Sequence, residues 1–282
     1  MLTLLTEFFA EHERIFVLTG AGVSTASGIP DYRDDSGDWK HQQPMEYREF
    51  VERHEARQRY WARSFIGWQR FNRARPNRAH QALARLEQLH RLTRTVTQNV
   101  DGLHQRAGSR QVTELHGSLA TVVCLACGDV IERLSMQKQL LERNPSLADL
   151  AAQIAPDGDA RLNAFDASEV DLPVCTSCGG ILKPQVVFFG ESVPVARVES
   201  CFDALAGADA MLVVGSSLMV YSGFRFVRAA HRAGIPVAAI NRGKTRADEI
   251  LSFSIKQDCA TVLSSVLENI DTDAGFTARP WL

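Results

Sequence analysis

Two cysteine pairs, Cys124-x-x-Cys127 and Cys175-x-x-Cys178, constrain this chain more than any other feature. Four thiolates on two tight turns supply the soft ligand set of a tetrahedral zinc ion, which would oblige two segments separated by 47 residues to meet. A closed four-cysteine site leaves no open coordination position, so the expected metal is a structural Zn2+ and not a catalytic one. The separation exceeds the roughly 15–20 residues of a compact ribbon, so residues 128–174 must loop out of the knuckle. Two redox dithiols are the alternative reading. Cys201 and Cys259 have no partner at ligand spacing and are expected to be buried thiols.

A length of 282 residues allows one large or two unequal domains. With 31 basic against 33 acidic residues the formal charge is −2, too balanced for the broad positive surface of a nucleic-acid binder, so no nucleic-acid partner is expected. No apolar run approaches the roughly 18 residues of a bilayer span, and no membrane association is expected. Glu7, Glu11 and Glu13 near the start are unlike a signal or transit peptide, and the expected location is cytoplasmic.

Periodicity predicts a helix over residues 2–14, with Leu2, Leu5, Phe8 and Phe9 on one face, and then a strand over Ile15-Phe16-Val17-Leu18 that turns at Gly20. Helix is expected over 46–71 and from His80 to His90, and a short strand over 95–97. Val186–Phe189 and 211–214 read as buried strands, Tyr221 to Ala233 as a helix, and 235–240 as the strand after it. Strand, helix, strand implies a parallel crossover. The expected class is α/β: a Rossmann-like parallel sheet with helices on both faces, plus a small zinc-binding module and a helical insertion. Residues 128–174, which include Pro156-Asp157-Gly158-Asp159, are too polar and irregular to assign, as is the tail from 272 to 282.

Gly20-Ala21-Gly22-Val23-Ser24 follows a strand, as a phosphate-cradling turn should. The third glycine of a hydride-transfer fingerprint would fall at Thr25, and no acid-tipped strand follows about 20 residues on. An ordinary glycine turn with Ser24 as a helix cap is the other reading. Later, Gly215-Ser216-Ser217 follows strand 211–214, and Asn241-Arg242-Gly243 ends the next strand at about ribose-binding distance. Two such loops suggest a dinucleotide lying across the sheet, though two ordinary βα turns would look the same. Asp31-Tyr32-Arg33, Gln98-Asn99-Val100-Asp101 and Glu114-Leu115-His116-Gly117 add polar groups near predicted strand ends or glycine turns. His116 is placed either as a base or as a satisfied core histidine.

Taken together, Gly-Ala-Gly-Val-Ser-Thr-Ala-Ser-Gly-Ile-Pro-Asp-Tyr-Arg (20–33), Thr-Gln-Asn-Val-Asp-Gly-Leu-His (97–104), Glu-Leu-His-Gly (114–117) and the cysteine pairs resemble the sirtuin family. The resemblance continues through Lys-Pro-Gln-Val-Val-Phe-Phe-Gly-Glu (183–191), Gly-Ser-Ser-Leu (215–218) and Asn-Arg-Gly (241–243). Residues 59–68 and 155–159 are similar to class II, the branch of the animal mitochondrial sirtuin with lipoamidase activity; the missing presequence suggests a bacterial-type member.

The resemblance implies an NAD-dependent protein-lysine deacylase. NAD is consumed as a co-substrate, an acyl-lysine carbonyl displaces nicotinamide, and O-acyl-ADP-ribose leaves. It implies His116 as general base and Asn99 positioning a ribose or water. Asp101 with Ile29 and Val100 would hold the carboxamide. Arg33, with Gly20, Ala21, Gly22, Ser24, Asp31 and Tyr32 nearby, would surround the phosphates, and Gln98 would line the ribose. Gly215, Ser216, Ser217, Asn241, Arg242, Gly243 and the backbone near Cys259 would take the adenosine side. Val187, Phe188, Phe189, Gly190 and Glu191, and separately Met219, Val220 and Tyr221, match the two segments between which an acyl-lysine peptide adds as a strand. The implied large NAD-binding domain comprises about 1–40, 77–120 and 184–270, with a small domain from insertions at 41–76 and 121–183.

Two positions depart from the family pattern. Asp38 stands where many members have an apolar residue, which bears on the acyl-channel entrance. Tyr60-x-x-Arg63 has the spacing by which the desuccinylase branch binds acyl carboxylates, yet a core Tyr and a surface Arg fit the same spacing. Transfer of ADP-ribose to protein, or an idle NAD or ADP-ribose sensor, are the competing functions.

Overall fold

The computed structural model describes residues 2–40, 44–148 and 167–272. By chain packing these form two compact units, one from residues up to 40, 74–116 and 193–272, the other from 44–73, 117–148 and 167–192. In chain order the strands of the described residues are β1 (Ile15–Thr19), β2 (Leu92–Thr97), β3 (Val112–Glu114), β4 (Gly117–Cys124), β5 (Val130–Glu132), β6 (Leu182–Val186), β7 (Ala210–Val214), β8 (Val237–Ile240) and β9 (Phe253–Ile255). No helix among the described residues is long and apolar enough to cross a membrane.

The larger unit is an α/β fold around one six-stranded parallel sheet, ordered β3-β2-β1-β7-β8-β9. Counted within this sheet, that is the doubly wound 3-2-1-4-5-6 order, whose direction of winding reverses between β1 and β7. All five residues of β1 are buried, which a parallel strand covered on both faces requires. Alternation then divides the core. Ile15 and Val17 join Leu212, Val214, Ala238 and Ile240 against the helices Leu2–Glu11, Arg78–Gln88 and Cys259–Thr272. Phe16 and Leu18 point the other way, with Met211, Val213, Val237 and Ala239, against the helices Val195–Ala206 and Tyr221–Arg232. The expected sheet with helices on both faces is therefore present. The first helix ends at Glu11, three residues before the expected 14.

The smaller unit holds a three-stranded antiparallel sheet, β5-β4-β6, and a core that includes Phe50, Trp61, Phe65, Val122, Met136, Leu140, Leu182 and Phe188. Three sequence expectations need correction here. The helix over 46–71 is two helices, Tyr47–Glu52 and His54–Arg73, with Arg53 extended between them. The break is stabilised by Arg57, whose guanidinium donates to the carbonyls of Phe50 and Val51 at 3.0 and 2.8 Å, satisfying groups that a continuous helix would have used itself. The strand placed at 186–189 is Leu182–Val186 instead; Val187, Phe188 and Phe189 lie beyond its end. Their apolar character reflects burial of Phe188 against the rings of Phe50 and Tyr60, centroids 5.1 Å away in both cases, and not a sheet position. Within 128–174, β5 and the helix Arg133–Arg143 are regular structure that the polar composition concealed. Only Arg133, Met136 and Leu140 of that helix are buried, and the Arg133 guanidinium lies 5.3 Å from the ring centroids of both Trp61 and Trp68. Pro156–Asp159 and the tail beyond 272 lie outside the described residues.

Candidate functional site

The turns that leave β1 and β7 interlock at the point where the sheet order reverses. Gly20 N–H donates to the Val214 carbonyl at 3.0 Å and Gly22 N–H to the Gly215 carbonyl at 2.8 Å. A side chain at Gly20 would place Cβ 2.7 Å from the Ser216 Cβ, and one at Gly22 would reach the Gly215 Cα at 2.9 Å. Gly215 adds a left-handed φ of +62°. The glycines thus let two strand-end turns touch, and the carboxyl ends of β1 and β7 become the crevice where a doubly wound sheet takes a ligand.

The turn after β2 closes onto the same place. Gln98 Nε2 donates to Ser216 Oγ at 2.7 Å, and Asn99 Nδ2 donates to the Gly20 carbonyl and to Ser24 Oγ, both at 3.0 Å. Ser24 Oγ in turn donates to Asp101 Oδ2 at 2.7 Å, while Asp101 Oδ1 accepts from Leu103 N at 2.9 Å. Ser24 makes no side-chain cap on the short helical turn that follows it, so the reading as a helix cap is replaced by a bond to Asp101. Ile29 is buried and Val100 half-buried, while Ala21 and Gly22 remain partly open to solvent.

His116 follows β3. Its Nδ1 lies 2.9 Å from the Gln98 carbonyl, and a carbonyl oxygen only accepts, so Nδ1 carries the proton. Nε2 therefore presents its lone pair, and Ser222 Oγ lies 2.7 Å from it. Burial holds the His116 imidazole below its ordinary value of 6.5, partly opposed by the Gln98 bond and assisted by the Arg197 and Arg225 charges. A neutral imidazole with a fixed tautomer can accept a proton from a hydroxyl.

The remaining residues of this unit are less uniformly gathered. Asn241 Nδ2 donates to the Gly243 carbonyl at 3.0 Å, and a Cβ at Gly243 would fall 2.6 Å from the Asp35 backbone. Arg242 is exposed and pairs with Asp258 at 2.8 Å, and Cys259 is buried, its thiol pushed up to about 12 by burial and the neighbouring Asp258. Ser217 contributes its carbonyl to Arg246 N–H at 2.9 Å. Arg33 holds its own loop: its guanidinium lies 3.9 Å from the Trp39 ring centroid and donates to the Gly37 carbonyl at 2.7 Å. Tyr32 is exposed and edge-on to Trp39, and Asp31 pairs with Lys40 at 2.6 Å. Asp38 N–H and the Asp38 carbonyl both bond Asp34, so Asp38 is part of a tight turn. Met219 and Val220 are half-buried, Tyr221 exposed.

In the smaller unit the four cysteine Sγ atoms lie within 4.8 Å of one another, with Cys124 to Cys178 at 3.5 Å and Cys127 to Cys175 at 3.6 Å. A tetrahedral zinc with Zn–S near 2.3 Å sets its sulfurs about 3.8 Å apart, so two pairs already stand close to that spacing and the whole set lies within about 1 Å of it. Phe189 and Gly190 are exposed, Val187 and Glu191 half-buried. Tyr60 packs among Phe50, Trp61 and Phe188, while Arg63 is exposed.

Several residues of these clusters carry no sequence signal of their own. Ser222 is one. Lys183, which opens the 183–191 segment but takes no role from the sequence, is 3% exposed and bonded to Glu191 at 3.0 Å. Beneath the β1 turn, His104 Nε2 lies 2.9 Å from Thr19 Oγ1 and its ring centroid 4.8 Å from that of His80. A polar residue among predicted core positions is the signal that marks His80 and His104.

Comparison with known proteins agrees with this geometry. The Sir2 family signature matches residues 20–222. The NAD-dependent protein deacetylase of Xanthomonas campestris pv. campestris (strain 8004) is 54% identical over 275 residues, 98% of this chain and 94% of that protein. NAD-dependent protein deacetylase 2 of Bradyrhizobium diazoefficiens is 55% identical over 263 residues, covering 93% and 96%. Among solved structures, "Sir2-p53 peptide-NAD+" superposes with a TM-score of 0.78 at 28% identity, over 97% of this chain and 100% of that one. "Structure of Sir2Tm bound to a propionylated peptide" gives 0.78 at 28% identity, over 96% and 99%. With its interlocked glycine turns, its four-cysteine cluster and relatives matched over nearly their whole length, the chain belongs to the Sir2 family, the sirtuins.

Proposed function

We propose that this chain is an NAD-dependent protein-lysine deacetylase or deacylase, which transfers an acyl group from lysine to ADP-ribose and releases nicotinamide and O-acyl-ADP-ribose. The observation that carries the reading is the His116 imidazole, held by the carbonyl of Gln98 in the same turn whose Asn99 and Asp101 bond Ser24. A base and a strand-end crevice are thereby built as one piece. The named relatives are NAD-dependent protein deacetylases; one structural neighbour holds a p53 peptide with NAD+, and another is bound to a propionylated peptide.

In this reading the Gly20–Ser24 turn and Arg33 receive the phosphates. Asp101, with Ile29 and Val100, receives the carboxamide, and Asn99 and Gln98 orient the ribose or a water. Gly215, Ser216, Asn241 and Gly243 serve the adenosine side. The acyl-lysine carbonyl oxygen displaces nicotinamide from the ribose; His116 then removes a ribose hydroxyl proton, and the resulting oxygen attacks the carbon that came from the acyl group. Val187–Glu191 and Met219–Tyr221 offer backbone to the peptide. Cys124, Cys127, Cys175 and Cys178 hold a structural zinc ion that takes no part in the chemistry. Slow removal of a simple acetyl group follows from the class II resemblance.

The test is a mass-spectrometric panel in which the purified protein meets NAD+ and one peptide carrying acetyl, succinyl, glutaryl-type, long-chain or lipoyl lysine. Deacylated peptide with the matching O-acyl-ADP-ribose is expected. A protein that retains the ADP-ribose mass, with every acyl-lysine intact, would overturn the reading in favour of ADP-ribosyl transfer.

A further inference from the structure

The Nε2 lone pair of His116 faces a hydroxyl supplied by the chain itself. Ser222 Oγ lies 2.7 Å away, and because Nδ1 donates to Gln98, the hydroxyl must donate to Nε2. Ser222 sits in the first turn of the twelve-residue helix Tyr221–Arg232, whose N-cap Val220 provides no side-chain cap. A serine there would ordinarily spend its hydroxyl on the helix backbone; this one spends it on an imidazole.

Its position is set by close packing. A side chain at Gly223 would strike Gln98 Oε1 at 2.7 Å, so the helix start is pressed against the residue whose carbonyl holds the other side of the ring. Carbonyl, imidazole and hydroxyl form one line from Gln98 to Ser222. A hydroxyl that donates one hydrogen bond still has two lone pairs with which to accept. A ribose hydroxyl that approached Nε2 directly would first have to break the Ser222 bond, whereas one that approached Ser222 would complete a chain.

We propose that Ser222 is a catalytic residue, the proton relay between the ribose hydroxyl and His116; this rests on the reading of His116 as the base of a deacylase. The proton of the ribose hydroxyl passes to Ser222 Oγ as the serine's own proton passes to His116 Nε2. The serine ends neutral, the imidazole becomes imidazolium, and the electron pair of the broken O–H bond stays on the ribose oxygen, which forms the bond to the acyl carbon as the π pair of that carbon's double bond to the lysine nitrogen moves onto the nitrogen.

The relay acts after nicotinamide has left, so exchange of labelled nicotinamide into NAD+, which needs only the first step, separates it from a structural role. Wild type, Ser222→Ala, Ser222→Thr and His116→Ala are compared for exchange and for O-acyl-ADP-ribose formation. In parallel, 15N resonances of His116 are recorded in the enzyme without NAD+. Ser222→Ala is expected to keep exchange and lose product formation by at least ~100-fold, the lower end of what general-base assistance contributes. Ser222→Thr, which restores a hydroxyl, recovers it. The Nε2 resonance moves in Ser222→Ala while Nδ1 stays in place. Product formation at the wild-type rate in Ser222→Ala overturns the relay, and so does loss of exchange and product together with movement of the Nδ1 resonance, which marks a structural role. A wild type that neither exchanges nor forms product, with the Nε2 resonance still sensitive to Ser222, overturns the deacylase reading and the relay that rests on it.

Discussion

Ser24 and Asp101, 77 positions apart in the chain, share a 2.7 Å hydrogen bond that joins the turn after β1 to the turn after β2. Asp101 uses its second oxygen to accept from Leu103 N–H and so also begins the helix Leu103–Arg106. One carboxylate thus sets the spacing of two loops. Asp101→Ala removes both bonds. With hydrogen bonds to a charged group worth about 1.5–3 kcal/mol, the KM for NAD+ should rise by roughly 10- to 100-fold. Asp101→Asn, which keeps acceptance from Leu103, should lose less. Steady-state kinetics with NAD+ varied at saturating acyl peptide measures both, and equal KM values in all three proteins would exclude this role.

The buried pair His80 and His104 predicts acid sensitivity. Burial depresses His80 to about 4, with a smaller opposing effect of Asp101, and depresses His104 to about 3, with a further contribution from His80. Both folded values lie below the ordinary 6.5, so in that interval the unfolded chain binds the protons. Stability is then complete above pH 6.5 and lost as the pH falls toward the folded values, at up to about 1.4 kcal/mol per pH unit for each histidine. His104→Gln keeps a polar partner for Thr19 and cannot be protonated. Urea midpoints between pH 7 and 5 should fall less steeply with pH in that variant, the remaining slope coming from His80 and His116.

The cysteine cluster predicts one bound zinc per chain and a smaller unit that depends on it. Elemental analysis of the purified protein should find the ion. Stripping it with a chelator under denaturing conditions should leave a product that does not recover the β5-β4-β6 sheet until zinc is returned, because the folding free energy of such modules is supplied by the metal. Recovery of full circular dichroism without metal would speak for the dithiol reading.

Lys183 is buried beneath the rim of the segment proposed to meet the peptide. Its ammonium bonds the Val186 carbonyl at 2.5 Å and Glu191 at 3.0 Å, and Glu191 accepts from Phe188 N–H at 2.8 Å. The pair closes 187–190 into a loop. Lys183→Met leaves the Glu191 carboxylate without its cation and should destabilise the protein by about 3–5 kcal/mol. Lys183→Met/Glu191→Gln should recover part of that loss in chemical denaturation, and its KM for peptide should stay above the wild-type value.

Gly215→Ala tests the interlocked turns. A methyl group there would meet the backbone of Gly22 and Val23, and φ at +62° disfavours any side chain. Loss of NAD+ binding by calorimetry is expected, whereas Gly234→Ala, also at positive φ but with nothing within 4 Å of its Cβ, should cost only about 1 kcal/mol of stability and leave binding intact.

Features that repeat locally or are spelled in adjacent residues can be read directly from the chain. The apolar run of β1 was legible as a strand; that Val17 lies on one face and Leu18 on the other follows from the pleat once the strand forms. The glycine turn after β1 and the cysteine pairs were legible because a tight turn and a metal ligand set need particular residues at short spacing. Where local signals misled, packing explains it: Phe188 is apolar because it is buried among aromatic rings, and the 46–71 helix breaks where Arg57 satisfies the freed carbonyls. The tertiary structure alone decided the order of the six parallel strands and, through it, which turns meet. Gln98 reaches Ser216 across 118 positions, and Ser222 reaches His116 across 106. Such bonds form only once strand register has brought the turns together, and neither residue's neighbours in the chain record it.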